Sequence, residues 1–415
     1  MKTRAGVPRT IQGAAIDDKR NILLVWIDGG PSRPGTPAVA PLRTVVARAR
    51  YGRTLGTPRL LRAGGGAKLV SNGSGEVVVT WTEPQTGCGQ PFCNEDLWMA
   101  EGTITTGLRP PVRLTTAMVP VCQPVASIGA RGDAVVAWCE AVGTTDSVLR
   151  AAYRTRGNTF GSPHDVGVHA LSVDAGVDAR GDVALAWFRQ EGPTSAVEAA
   201  WARRDGEVGP AQTIESGEMH DGESGAITFG PVLGVAPDGT AMVGWSGRWP
   251  RGHVTGPTQV ASGTPAAAFR PLQADLPSPL DDLVSGPHGG FAMLFSPERA
   301  ENTRRSPTFD VVAAVADGKR FAPPQTLARR TLGRLDAAID GDGDTFVAWW
   351  IRHNAARIAV RTRGGRFSHP AAVAGSGRVG ALRFAANSRG DMLAAWSRGG
   401  FGREGIALRL HRRSR

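Results

Sequence analysis

Few residues of this 415-residue chain stand at spacings that could do chemistry. Arg248, Trp249, Arg251 and His253 crowd one short segment, an aromatic ring among cations suited to stacking and anion contact. Arg352 and His353 form a smaller group of the same kind. These six are the candidate ligand-binding residues. Asp340, Asp342 and Asp344 alternate with glycine like the opening of a calcium loop, but the glycine and distal Glu that would complete it are absent. A plain turn is the favoured reading there, with calcium as the lesser alternative. The acidic run from Glu215 to Ser224, with Glu218, His220, Asp221 and Glu223, has no diagnostic ligand spacing and reads as a solvated loop. The eight histidines form no H-x-x-x-H or HExxH pair, and neither a G-x-S-x-G elbow nor a phosphate loop occurs. No catalytic residue, metal site or cofactor is therefore assigned. Four cysteines complete the inventory: Cys88, Cys93, Cys122 and Cys139. Zinc bound by all four is one reading, and the pairs Cys88–Cys93 and Cys122–Cys139 are the favoured one. Cys122 and Cys139 fall nearly opposite each other across a hairpin turning at Arg131-Gly132.

The elements that would position such residues are written as a repeat. A turn, four or five mostly apolar residues and an aromatic recur eight times, ending at Trp26, Trp81, Trp138, Trp187, Trp245, Phe295, Trp349 and Trp396. Glycine immediately precedes the phrase in seven copies: Gly75, Gly132, Gly181, Gly239, Gly289, Gly343 and Gly390. Arg20 stands there in the first. Three residues earlier, Asp17, Asn72, Asp178, Asp340 and Asn387 make a D-x-x-G-like turn, in which an Asx side chain bonds the turn backbone and glycine takes a positive φ. The strand that follows is apolar at consecutive positions, as a strand covered on both faces must be. A strand ending in basic residues, an F-x-x-P turn and a fourth strand complete a unit of about 50 residues.

On these residues the chain resembles the β-propeller superfamily, with repeats similar to those of secreted bacterial propellers. It has neither the Trp-Asp dipeptide of WD40 repeats nor the sialidase aspartate box. The resemblance implies an all-β fold, a single eight-bladed propeller of four-stranded antiparallel blades over residues 1–415, with seven blades as the alternative. The segment Val7–Ile11 is expected to begin the first blade or close the eighth. The repeat aromatics are expected between blades and buried. A sialidase would need a nucleophilic Tyr and an Arg-Ile-Pro; the latter is missing, and Tyr51 and Tyr153 read as packing residues.

Composition narrows the partners. Gly and Pro number 55 and 29, against a helical bundle, and no apolar stretch is long enough to span a membrane. The formal charge is +11, and the basic residues are arginines apart from Lys2, Lys19, Lys68 and Lys319. They are spread along the chain without interleaved aromatics, so nucleic acid is disfavoured as a partner. Residues 1–8 have no apolar core of a signal peptide, whereas the cysteine pairs argue for a secreted or cell-surface location. The expected function is a non-catalytic binding or scaffolding module, a monomer, taking a protein or anionic glycan on its variable-loop face. The alternative is a glycan-active enzyme, hydrolase or lyase, with its site at the central channel.

Overall fold

The computed structural model describes residues 9–28, 42–84, 95–118, 121–143, 146–218, 229–246, 257–299, 308–317, 320–331, 335–351, 355–373, 378–399 and 405–411. Every regular element among them is a β-strand. The strands form eight antiparallel sheets, and the fold is an all-β, eight-bladed β-propeller. Sheet one runs Arg9–Ile16, Asn21–Asp28, Arg43–Arg50 and Arg59–Ala63 in spatial order. Sheets two to eight follow in sequence over 65–118, 125–168, 170–218, 229–272, 280–331, 335–372 and 378–411. The last has three described strands. The N-terminal strand Arg9–Ile16 begins the first sheet, which settles its two expected roles in favour of the first.

Residues group into two compact units, one of 1–119, 353–356 and 373–415, the other of 120–352 and 357–372. Within the second, the first strands of sheets three to seven pack each against the next. Within the first, Arg9–Ile16 packs against the first strands of sheets two and eight. The strand leading into the D-x-x-G turn therefore has a neighbour in the adjoining sheets, as a strand covered on both faces requires.

The turn chemistry appears as the residue types demand. Asp178 Oδ1 accepts the amides of Arg180, Gly181 and Asp182 at 2.7, 2.9 and 2.9 Å, with Gly181 at φ 96°. Asp17 and Asn387 each accept two such amides in their copies, those of Lys19 and Asn21 and of Arg389 and Asp391. Where the first copy lacks glycine, Arg20 itself takes φ 63°. Its guanidinium makes two 2.9 Å bonds to Asp391 in the turn of the eighth copy. The one copy without the turn glycine thus ties the N-terminal sheet to the C-terminal one.

All eight repeat aromatics are buried, with at most 5% of their surface exposed. Six of them sit in clusters that combine neighbouring sheets, among them Trp187 with Leu149 and Tyr153, Trp26 with Leu393 and Ala395, and Trp349 with Leu294 and Ala313. Three indole N–H groups reach carboxylates: Trp26 to Asp28 at 2.8 Å, Trp138 to Glu140 at 3.1 Å, and Trp245 to Glu215. Those of Trp81, Trp187 and Trp349 have no acceptor among the described residues.

Candidate active site at a strand bulge

Six of the eight sheets break register between their first two strands, close to the repeat aromatic. A bulge inserts an unpaired residue and re-aims its side chain. In sheet one that residue is Gln12 and in sheet four Leu171; in sheet six it is Asp281, between the pairs Leu280–Phe295 and Asp282–Leu294.

Asp281 keeps surface open to solvent, yet the protein around it pushes its carboxyl up to about 6. Loss of hydration is the leading cause, and the charge of Asp282 adds to it. The hydroxyl and amide of Ser296, the buried residue after Phe295, donate to the carboxylate and pull the other way. Ser296 also holds the entering chain, its amide donating to Pro279 O at 3.3 Å. The Leu280 amide donates to Ser246 Oγ at 3.1 Å; Ser246 pairs with Thr258, which donates to Pro277 O. Ser278 Oγ, two residues before the strand, is buried without a hydrogen-bond partner among the described residues. The carboxyl therefore stands on a braced strand end, and near neutrality it can both give and take a proton.

The register position held by Asp282 shows what a carboxylate does when it is spent on structure. Asp174, Asp282 and Asp336 share one register position, opposite Ala186, Leu294 and Ala348. Asp174 accepts the Ala175 amide and that of Leu233 in the next sheet, both at 2.8 Å. Asp282 accepts the Leu283 amide at 2.9 Å. They cap amides that the edge of a sheet leaves open. In the other unit the same register holds Lys68 and Arg383.

Other expected groups separate in the same way. Arg248, Trp249, Arg251, His253, Arg352 and His353 lie outside the described residues, as do Cys88 and Cys93. Cys122 and Cys139 are disulfide-bonded, with Cα atoms 5.1 Å apart. In the Asp340 turn, Asp340 Oδ1 accepts the amides of Asp342 and Asp344, and Asp344 accepts that of Arg363. Among the described residues no three His, Cys, Asp or Glu side chains are gathered to hold a metal ion. Tyr153 is buried and its phenol is pushed far above its ordinary range, in keeping with a packing role. Asp281 was not singled out from the sequence. The available signal was the Asp281-Asp282 pair, set at a strand start where the matching position of sheet four is Val173-Asp174.

No protein-family model matches the sequence, and no curated protein matches it. Solved structures do resemble it in fold. The polysaccharide lyase Uly1 superposes with a TM-score of 0.53 at 8% identity, over 96% of this chain and 89% of that one. An ulvan lyase of family PL25, bound to -[GlcA(1-4)Rha3S]-, follows at 0.45 and 12%, over 98% and 94%. The α-L-arabinofuranosidase Arb93A of Fusarium graminearum follows at 0.41 and 8%, over 98% and 97%. At these identities the likeness is one of fold. The expectation of a non-catalytic binding or scaffolding module is corrected on this finding: the fold is shared with the polysaccharide lyase Uly1, a glycan-active enzyme, which favours the alternative. Repeat positions had suggested a bare scaffold because they record packing, whereas a catalytic group needs only one non-repeating residue at a strand end.

Proposed function

We propose that the protein is a glycan-active enzyme that cleaves an acidic polysaccharide outside the cytosol, with Asp281 as its proton donor. The observation that carries this is the Asp281 carboxyl, raised to about 6 at a braced bulge and open to solvent. Its protonated form delivers a proton to the glycosidic oxygen as the C–O bond breaks, while water adds to the anomeric carbon and releases a proton (hydrolysis) or the neighbouring carbon loses its proton as the double bond forms (elimination), and Ser296 orients the carboxylate left behind. Both hydrolysis and β-elimination need that step. The fold shared with the polysaccharide lyase Uly1 supports the substrate class, the +11 charge supports an anionic chain, and the Cys122–Cys139 disulfide supports export.

The test is turnover on a panel of uronate-containing and sulfated polysaccharides. Ultraviolet absorbance of a new carbon–carbon double bond reports elimination, and reducing ends without it report hydrolysis. Asp281→Asn should lower kcat by about 10²–10⁴-fold with little change in KM. An Asn variant that turns over like the parent removes Asp281 from the mechanism. Absence of cleavage across the whole panel removes the enzyme reading.

A further inference from the structure

Between Asp28 and Glu76 the sequence has no acidic residue, while 43–63 alone carries Arg43, Arg48, Arg50, Arg53, Arg59 and Arg62. Sheet one folds this stretch into its two outer strands, Arg43–Arg50 and Arg59–Ala63, paired Val46 to Arg59 and Thr44 to Arg62. All six arginines are exposed. Arg62 is taken up by Glu83 at 2.5 Å and by the Trp98 ring, 3.8 Å below its guanidinium. Arg43, Arg50 and Arg53 have no side-chain hydrogen bond or ion pair among the described residues.

Arg48 and Arg59 are held differently. Both line a cleft of about 190 Å³ that runs from this strand pair to the turn at Thr106-Gly107 of sheet two, together with Thr57. Arg48 Nη1 donates to Thr105 O at 2.5 Å, and Arg59 Nη2 donates to Leu108 O at 3.0 Å. Each contact uses one of five guanidinium N–H groups, so both cations are anchored with donors to spare. Gly107, at φ 94°, leaves room for the Arg48 guanidinium, which a Cβ there would meet at 3.3 Å. Two pre-placed cations and two threonine hydroxyls around one cleft are a receptor for a sulfate or carboxylate.

We propose that this outer strand pair of sheet one is a docking surface for an acidic polysaccharide, one anionic group seated between Arg48 and Arg59 and the chain running on past Arg50 and Arg53. The choice of a glycan rests on the function proposed above. It is also favoured over nucleic acid because the patch offers no open aromatic face: Tyr51 is half-buried against the core around Trp26. The surface adds affinity for a polymer and takes no part in bond cleavage.

Binding of the full chain to heparin, with neutral dextran and single-stranded DNA as comparison ligands, tests this at two salt concentrations. Arg48→Gln/Arg59→Gln should weaken heparin binding by about ten-fold or more and flatten its salt dependence. Arg50→Gln/Arg53→Gln, which breaks no contact in the fold, should weaken it by a smaller factor. The charge-matched pair Arg156→Gln/Arg204→Gln, exposed in the other unit, should change it less than about two-fold. Equal losses in the charge-matched pair, or DNA bound as tightly as heparin, overturn the proposal. The readout needs no turnover, so the two proposals fail separately. Cleavage by a protein whose arginine variants bind heparin normally defeats the surface alone. Arginine-dependent heparin binding by a protein that cleaves nothing supports the surface and defeats the enzyme reading.

Discussion

The two ends of the repeat strands treat a carboxylate with a raised pKa in opposite ways. At the D-x-x-G end, Asp178 and Asp340 lose hydration and are pushed upward, yet each spends an oxygen on two or three turn amides. Such a group is structural: its oxygen is committed to the turn amides, a role that the neutral Asn387 fills as well. At the other end Asp281 is also pushed upward by burial, but it rests on Ser296 alone and faces solvent. Desolvation of similar origin thus yields a turn clamp in one place and a proton-exchange group in the other. What separates the two is that the turn carboxylates are buried on backbone amides, whereas Asp281 is open to solvent.

The packing that both ends share should give the largest effect if broken. Trp187→Ala is expected to cost about 3–5 kcal/mol in urea unfolding, since the ring is fully buried in the sheet three–four core. A much smaller loss would mean that the ends hold the sheets without their aromatic layer. Next comes the covalent link. Sheet three has no break between its first two strands, and the Cys122–Cys139 bond ties their bulge-side ends together. Cys122→Ser/Cys139→Ser should cost about 2–4 kcal/mol, with amide exchange rising first at Val125–Ile128.

A glycine pair sharpens the contrast between the ends. Gly181 in a D-x-x-G turn sits at φ 96°, and a Cβ there would meet Asp133 Cγ at 2.7 Å. Gly143, in the loop after a repeat aromatic, sits at φ 71° with nothing near. Both alanine variants pay about 1–2 kcal/mol for the left-handed backbone, and Gly181→Ala should lose measurably more in thermal unfolding. Equal losses would show that the turn end is no more tightly packed than the loop end.

The smallest effect is the pH dependence contributed by Asp281. Its folded-state pKa, about 6, lies above the ordinary 3.8, so the folded state binds more protons than the unfolded chain between those values. Stability from this group is fullest below about pH 4 and declines as pH rises through about 6. Asp281→Asn should remove that decline and leave the turn carboxylates' contribution in place. An unchanged pH profile would place the carboxyl at an ordinary pKa and erase the distinction between the ends.

The sequence by itself determined the architecture. Glycine positions, Asx turns, consecutive apolar residues and eight aromatics are local requirements of hairpins covered on both faces, so they recur and can be counted. It also placed Cys122 opposite Cys139, because hairpin register follows from chain distance to the turn. The function was less legible, since the same repetition concealed the residue that departs from it. Only the tertiary structure decided that Asp281 falls on a bulge, that Ser296 meets it, and that Asp282, one residue on, is spent on an amide. A one-residue change of register re-aims a side chain, and register near a bulge depends on packing between sheets. Likewise, the spacing of Arg48 and Arg59 says nothing of a shared cleft. Strand pairing sets both beside Thr106 of a different sheet, and that proximity comes from the fold alone.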